Sequence, residues 1–207
     1  MLSIYDIKPR FQNLLRPITT RLAAAGITAN AVTLLAMCIS VAIGLALTVF
    51  QPGPAAFLVL PVWLFLRMAL NAIDGMLARE HGQKSTLGAY LNELTDVISD
   101  AALYLPFAFV APFGGLSVGG VIWLAAVSEM AGALGPMVGA SRRYEGPMGK
   151  SDRAFVFGAL GLWLGLAGAL PAWLGWLMQV MALLIVLNII NRVRAGLAEL
   201  HARKLQG

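Results

Sequence analysis

Charged side chains are scarce in this sequence. Asp, Glu, Lys and Arg together make up 12% of the 207 residues, while 59% are hydrophobic. A soluble domain usually carries about a quarter charged residues, so this composition excludes an ordinary soluble fold. Apolar runs of about 17–25 residues, the length that crosses a ~30 Å hydrocarbon core, predict an all-α membrane protein with six transmembrane helices. The six predicted spans cover residues 31–50, 55–78, 87–111, 118–140, 154–170 and 172–191.

Cysteine and histidine are equally scarce. The chain has one cysteine, Cys38, and two histidines, His81 and His201. A single cysteine forms no disulfide within one chain, and no His/Cys cluster of the kind that zinc sites need is present. The residues before the first span lack the apolar core and cleavage site of a signal peptide, so we expect an uncleaved anchor. No internal repeat supports a repeat-built transporter.

Basic residues predict the orientation in the membrane. Four Lys or Arg residues precede the first span, two lie between the second and third, four lie between the fourth and fifth, and four follow the sixth. The connections on the opposite side carry none. By the positive-inside rule, both termini and these connections are cytoplasmic. Because the charges are dispersed over four segments, the net charge of +5 does not indicate a nucleic-acid partner.

The segment before the first span has an amphipathic pattern. Apolar side chains recur every three or four residues at Ile4, Ile7, Phe11, Leu14, Ile18 and Leu22. This predicts a helix on the cytoplasmic surface, interrupted near Pro9 and Pro17; the alternative is a plain juxtamembrane linker. We therefore divide a single domain, 1–207, into an amphipathic segment 1–29, a six-helix bundle 30–195 and a basic tail 196–207.

Polar residues inside the predicted spans point to a site, because ionisable groups are costly in a bilayer. Asn71 and Asp74 are three residues apart, and Asn92 and Asp96 are four apart, so each pair lies on one helix face. A short connection joins the two spans, which makes them antiparallel neighbours. At helical rise all four side chains share a layer ~7–13 Å from the cytoplasmic boundary. Oxygen donors there suit Mg²⁺ or Mn²⁺, and such a cation suits a diphosphate.

Residues 71–96, "NAIDGMLAREHGQKSTLGAYLNELTD", resemble the signature of the CDP-alcohol phosphatidyltransferases. That signature reads D-x-x-D-G-x-x-A-R, a spacer, then G-x-x-x-D-x-x-x-D. The matching residues are Asp74, Gly75, Ala78, Arg79, Gly88 and Asp96. "GITANAVT", residues 26–33, is similar to the family's entry to its first span. Asn71 and Asn92 stand where the family has its first and third aspartates, which removes two negative charges and should weaken cation binding.

The resemblance implies an enzyme of phospholipid synthesis. It implies transfer of a phosphatidyl group from CDP-diacylglycerol, or a similar CDP-lipid, to a small alcohol with release of CMP. It also implies a multi-pass homodimer in a bacterial inner membrane, with the active site near the cytoplasmic face. The alternative function is that of a catalytically weakened member of the family that binds CDP-lipids and acts as a scaffold. A channel is disfavoured because no polar stripe crosses the whole bilayer.

The resemblance also assigns roles to residues. Asp96 would be the general base toward the acceptor hydroxyl. The Mg²⁺ or Mn²⁺ ligands would be Asp74, Asp96, Asn71 and Asn92. The CDP contacts would be Asp74, Gly75, Ala78, Arg79 and Gly88.

Arginines at the end of the fourth span offer an acceptor site. Arg142 and Arg143 would lie beside the active-site mouth, where they suit an anionic acceptor such as a phosphorylated alcohol. They suit a role as topology determinants equally well.

Three further ionisable residues share one depth, ~18–20 Å from the cytoplasmic boundary at helical rise. These are Arg67, Asp100 and Glu129. Opposite charges at one depth in a bilayer should pair. We therefore expect an ion pair between Arg67 and Asp100, with Glu129 close by or protonated.

Overall fold

The computed structural model describes residues 4–206, and the side chains of residues 10–205. Within that part the chain is helical, with no β-strand. Its α-helices are α1 (Ile4–Ala24), α2 (Ala29–Phe50), α3 (Val59–Glu80), α4 (Thr86–Tyr104), α5 (Gly115–Ala133), α6 (Lys150–Ala167) and α7 (Leu177–Gln206). Short 3-10 turns, each four or five residues long, precede α3 and α7 and follow α4 and α5. The fold class is therefore all-α, as the composition predicts.

Four helical segments are long and apolar enough to cross a membrane: Ala29–Phe50, Pro54–Glu80, Gly115–Val138 and Ala172–Leu205. Each overlaps one predicted span, and together they make the chain an integral membrane protein. The other two predicted spans coincide with α4 and α6, which are shorter and more charged. Glu93, Asp96 and Asp100 lie in α4, whereas the charges of α6 are concentrated in its first turn. The six-span arrangement stays a prediction.

Helix α1 differs from the sequence-based expectation. It runs without interruption through Pro9 and Pro17, so the predicted breaks are wrong. Packing against α3 supports the helix around Pro17, because Leu15 and Thr19 are both buried there. The carbonyl that loses its partner is that of Asn13, which is exposed, so water can satisfy it. The side chains of Ile4 and Ile7 lie outside the described residues, and a surface-lying role for α1 stays a prediction.

Helix α7 continues to Gln206, so the basic tail 196–207 of our division is helical over its described residues. Residues 1–3 and 207, which our division of the domain includes, lie outside the described part of the chain.

The packing of the helices leaves room between α3 and α4. Helix α2 packs closely against both of them, α5 packs along α7, and α3 packs on α6. By contrast, polar side chains bridge α3 and α4, because Arg67 and Asn71 on α3 both donate hydrogen bonds to Asp96 on α4. The expected approach of the polar faces of α3 and α4 is therefore seen for Asn71 and Asp96, although the two helix backbones are not in close contact.

The contact between α2 and α4 depends on a glycine. Gly44 is buried, and a Cβ atom there would overlap the backbone carbonyl of Ala102. Close approach through a small residue is a common way for helices to pack in lipid. We expect Gly44→Ala to lower the free energy of unfolding in detergent by about 1–3 kcal/mol, because the two backbones must separate.

A matched control for Gly44→Ala is Gly119→Ala in α5, where an added Cβ meets no atom within 4 Å. Denaturant or thermal unfolding of the purified variants checks the prediction. Equal stabilities of the two variants would contradict the close approach of α2 and α4.

Candidate functional site

The signature residues of α3 lie in its C-terminal half. Asp74 is buried, and its Oδ2 accepts a hydrogen bond from the Thr33 hydroxyl on α2 at 2.7 Å. A Cβ added to Gly75 would come within 3.1 Å of the Arg79 guanidinium, so that side chain lies directly over Gly75. Arg79 is exposed, and within the described residues it takes part in no ion pair. Its guanidinium is therefore free to meet an anion beside Asp74.

Asp96 is the point where α3, α4 and α6 meet. Its Oδ1 accepts hydrogen bonds from Arg67 Nη2 at 3.1 Å and from Asn71 Nδ2 at 3.3 Å, both on α3. Its Oδ2 forms an ion pair with Lys150 at the start of α6. Asp96 is half-buried, and three donors hold its carboxylate in place. The sequence predicted the approach of Asn71 to Asp96, but not the contact with Lys150.

The remaining signature positions lie near the start of α4. Ser85 caps this helix by accepting a hydrogen bond from the Gly88 backbone N–H at 2.9 Å. A Cβ on Gly88 would lie 2.9 Å from Asn30 Oδ1, so the glycine allows the start of α4 to approach α2. Asn92 is exposed, one turn before Asp96. The structure thus brings Asn71 and Asp96 together and leaves Asn92 at the rim.

The oxygen atoms at the four signature positions are of the types that bind a hard divalent cation. Asp74 and Asp96 supply carboxylates, and Asn71 and Asn92 supply amide oxygens, all of them ligand types that Mg²⁺ and Mn²⁺ accept. No group of three His, Cys, Asp or Glu residues able to hold a metal occurs in the described part of the chain. This follows from the sequence, because two of the four signature positions are asparagine.

The predicted ion pair between Arg67 and Asp100 is confirmed. Both side chains are buried, and Arg67 Nη1 contacts Asp100 Oδ1 directly. Asp100 also lies 3.6 Å from Arg153 Nη2, which pairs with Glu129 at 2.9 Å. Arg192 Nη1 approaches the same Glu129 at 3.4 Å. Glu129 therefore lies close by, as expected, and shares Arg153 with Asp100.

Sequence reasoning missed two members of this buried network. The sequence pattern places Arg153 in a cytoplasmic connection and Arg192 directly after the sixth span, yet the structure buries both of them almost completely. Arg153 directly precedes the fifth predicted span and Arg192 directly follows the sixth. This position next to an apolar run was the indication in the sequence that they could be buried. The reason is geometric: α6 starts at Lys150 and α7 continues past residue 192, so both arginines lie on helix faces that point into the bundle.

Arg142 and Arg143, the predicted acceptor contacts, are already engaged by carboxylates. Arg142 holds Glu93 with two hydrogen bonds of 2.6 and 2.5 Å, and lies 3.5 Å from Glu129. Arg143 pairs with Glu199 at 2.6 Å and with Glu145 at 2.9 Å. Burial opposes the charge of Arg142, but the hydrogen bonds and charge of Glu93 outweigh it and raise the pKa of Arg142 above its ordinary value.

An apolar cavity leads to this polar region. It has a volume of about 590 Å³ and lies between α3 and α6. Arg67, Asn71 and Lys150, the three side chains that contact Asp96, form its polar end. The rest of its wall is mainly apolar and includes Pro61, Leu64, Phe65, Met68, Ala154, Phe155 and Leu162. The cavity is therefore suited to a molecule with a polar head and an apolar body.

Comparisons with known proteins agree on one family. The family model for CDP-alcohol phosphatidyltransferase matches residues 26–190. The inner membrane protein YnbA of Escherichia coli (strain K12) is 46% identical over 200 residues, which cover 95% of this chain and 97% of that protein. Phosphatidylinositol phosphate synthase of Mycobacteroides abscessus is 32% identical over 104 residues, about half of each chain.

Solved structures show the same fold. The crystal structure of Mycobacterium tuberculosis phosphatidylinositol phosphate synthase with CDP-DAG bound superposes with a TM-score of 0.72 at 23% identity. It covers 87% of this chain and 92% of that one. A structure of the same synthase in complex with manganese and citrate gives a TM-score of 0.71.

Proposed function

Since this chain belongs to the CDP-alcohol phosphatidyltransferase family, we propose that it moves a phosphatidyl group from CDP-diacylglycerol to the hydroxyl of an alcohol and releases CMP. The chain is accordingly an enzyme of that family. One observation carries the proposal: the apolar cavity between α3 and α6 ends at Arg67, Asn71 and Lys150, the residues that hold the Asp96 carboxylate. A lipid seated there would bring its headgroup to Asp96.

Both ends of the proposed donor lipid would have a suitable surface in the site. Its acyl chains would occupy the apolar part of the cavity, where burial of apolar surface favours them. Its diphosphate would lie near Asp74 and beneath the Arg79 guanidinium, which suits phosphate oxygens. Gly75 and Ala78 would let the cytidine side of the donor approach α3 when the flexible Arg79 side chain turns toward the diphosphate, and Gly88 would contact the donor at the start of α4.

A divalent cation, Mg²⁺ or Mn²⁺, would be held by Asp74, Asp96, Asn71 and Asn92. When bound, it would neutralise the diphosphate and the charge that develops on the departing CMP. A related synthase has been solved with manganese, which supports this choice of ion. Thr33 keeps one oxygen of Asp74 fixed by its hydrogen bond and leaves the other oxygen for a ligand.

The reaction itself is a substitution at the phosphorus of the phosphatidyl group. Asp96 accepts the proton of the acceptor hydroxyl, whose oxygen then forms a bond to that phosphorus. The bond from phosphorus to the bridging oxygen of the diphosphate breaks, and CMP leaves with the electron pair. Arg67 and Lys150 orient the Asp96 carboxylate for this step.

The proposal includes the arrangement in the membrane. We propose six spans, with α4 and α6 crossing alongside the four apolar segments and their charged residues facing the bundle interior. Both termini and the site would then face the cytoplasm of a bacterial cell, since the Lys and Arg residues lie on that side. The inner-membrane location follows that of the Escherichia coli relative. A homodimer is proposed from the family resemblance alone.

A scaffold that only binds CDP-lipids is the less favoured alternative. It rests on Asn71 and Asn92, which weaken the donor set. Asp74 and Asp96, the two aspartates retained from the signature, are both held by hydrogen bonds. Incubation of the purified protein with CDP-diacylglycerol, Mg²⁺ or Mn²⁺ and a panel of alcohols tests the proposal. Mass spectrometry should detect a phospholipid that contains one of the alcohols, and no such product with any alcohol would favour the scaffold.

Restoring the two missing charges should tighten metal binding. In the variant Asn71→Asp/Asn92→Asp, two more anionic ligands face the cation, so the Mn²⁺ dissociation constant should fall by about 10-fold or more. Titration of Mn²⁺ followed by electron paramagnetic resonance measures it. Asn13→Asp, an exposed position on α1, adds a charge away from the site and serves as the control. An unchanged affinity in the double variant would show that residues 71 and 92 do not face the metal.

A further inference from the structure

The arginines near the cytoplasmic end of the bundle are neutralised by the protein itself. Four arginines, here called the arginine cluster, lie in the α5–α6 connection, α6 and α7: Arg142, Arg143, Arg153 and Arg192. Each contacts at least one glutamate, and the glutamates that they contact are Glu93, Glu129, Glu145 and Glu199. Each arginine of the cluster therefore already has a carboxylate partner, and an anionic ligand can gain one of them only in competition with that partner.

Burial makes these pairs hard to exchange. Arg153 and Arg192 are almost fully enclosed, and the Glu129 side chain between them is 9% exposed. The void that borders Glu129, Arg153 and Asp100 measures about 10 Å³, enough for about one water molecule and far too small for a phosphate group. Displacing Glu129 would also leave a buried carboxylate without its partners, which is strongly unfavourable.

The more accessible pair lies beside the proposed base. Glu93 precedes Asp96 by three residues on α4, so the two side chains are neighbours on one helix face. Arg142 bonds both oxygens of Glu93, lies 3.5 Å from the Glu129 carboxylate, and stacks over the Tyr144 ring at 4.3 Å. An acceptor that approaches Asp96 therefore meets the Glu93 carboxylate beside the Arg142 guanidinium, while the nearest other cation, Lys150, is already paired with Asp96 itself.

We propose that the acceptor is an uncharged alcohol rather than a phosphorylated one, an inference that rests on the proposed function. A phosphorylated acceptor brings about two negative charges next to Glu93, and it can gain Arg142 only by displacing that glutamate. The hydroxyls of an uncharged polyol, by contrast, can donate to Glu93 and accept from Arg142 while the ion pair stays intact.

A transfer assay with matched acceptor pairs tests the proposal. Glycerol is compared with glycerol 3-phosphate, and inositol with inositol 1-phosphate, at equal ionic strength. We expect kcat/KM for the better uncharged alcohol to exceed that of its phosphorylated partner by about 10-fold or more. Preference for the phosphorylated member of a pair would overturn the inference but leave the proposed transferase function standing.

A binding measurement tests the same point without transfer. The unfolding temperature is measured in millimolar inorganic phosphate and in chloride at equal ionic strength. In the wild-type protein, phosphate should not bind Arg142 and should cause no rise in unfolding temperature that depends on Arg142. Glu93→Gln frees Arg142 and should create a phosphate-dependent rise, which Arg142→Gln added to that variant should remove. Glu80→Gln at the end of α3, which frees Arg16 on α1, is the control and should not show that rise.

Glu145→Gln, at an exposed partner of Arg143, is a second variant if Glu93→Gln does not fold. It should likewise gain phosphate binding. Phosphate stabilisation of the wild-type protein that Arg142→Gln or Arg143→Gln abolishes would overturn the inference. Failure of every acceptor in the transfer assay would overturn the proposed function instead, while the phosphate measurement still decides whether the cluster is open to anions.

Discussion

Asp96→Asn should lower the rate of phosphatidyl transfer by about 10²–10⁴-fold, the usual contribution of a general base. The asparagine keeps the size of the side chain and can still accept hydrogen bonds from Arg67 and Asn71, so the helices should stay folded. What it loses is the ability to take the proton of the acceptor hydroxyl. Asp74→Asn should cause a loss of similar size, because only two carboxylates remain in the signature to hold a cation.

The control for Asp96→Asn is Asp152→Asn, an exposed aspartate that accepts a hydrogen bond from the Gly149 N–H at the start of α6. Asparagine has a side-chain oxygen that can still accept this hydrogen bond, and the position is exposed, so this variant should keep near-normal turnover and stability. Rates come from initial velocities with purified protein, and circular dichroism checks that each variant is folded. Near-normal turnover of Asp96→Asn would remove Asp96 from its assigned role.

Arg67→Leu and Asp100→Leu should each lower the free energy of unfolding by about 3–5 kcal/mol, because each leaves a buried charge without its main partner. The double variant should lose clearly less free energy of unfolding than the sum of the losses in the two single variants. The coupling should not be complete, since Arg67 also bonds Asp96 and Asp100 also lies near Arg153. A double-mutant cycle by denaturant unfolding in detergent measures the coupling.

The matched control cycle uses the Arg16–Glu80 pair, whose side chains are 49% and 37% exposed. An exposed pair is screened by solvent, so its coupling should be small beside that of Arg67 and Asp100. Additive losses for Arg67 and Asp100 would contradict a structural ion pair. A loss of Mn²⁺ affinity in Asp100→Asn alone would place Asp100 in the metal site.

The sequence predicted those parts of the structure that depend on spacing along one helix. Asn71 and Asp74 lie three residues apart, and helical geometry alone places them on one face of α3. Depth in the bilayer was enough to pair Arg67 with Asp100, because an isolated charge at that depth is costly. The facing of α3 and α4 followed from the short connection between them.

The parts that the sequence did not predict depend on how whole helices are rotated and packed. Lys150 reaches Asp96 only because α6 packs against α3, and no spacing in the sequence indicates that choice of partner. The sequence pattern predicts that Arg153 and Arg192 are positive-inside residues at the membrane surface. In the folded bundle, however, both contact the same buried glutamate, Glu129. Local rules also overestimated the effect of Pro17, because contacts with α3 support α1 on both sides of it.

The most direct test of the central claim is the release of CMP from CDP-diacylglycerol by the purified protein. With an accepting alcohol present, CMP should appear in a one-to-one ratio with the phospholipid product. Removal of divalent cations with a chelator should stop both, and added Mn²⁺ or Mg²⁺ should restore both. CMP release that continues unchanged without metal, or no release with any alcohol in the presence of metal, would contradict the account.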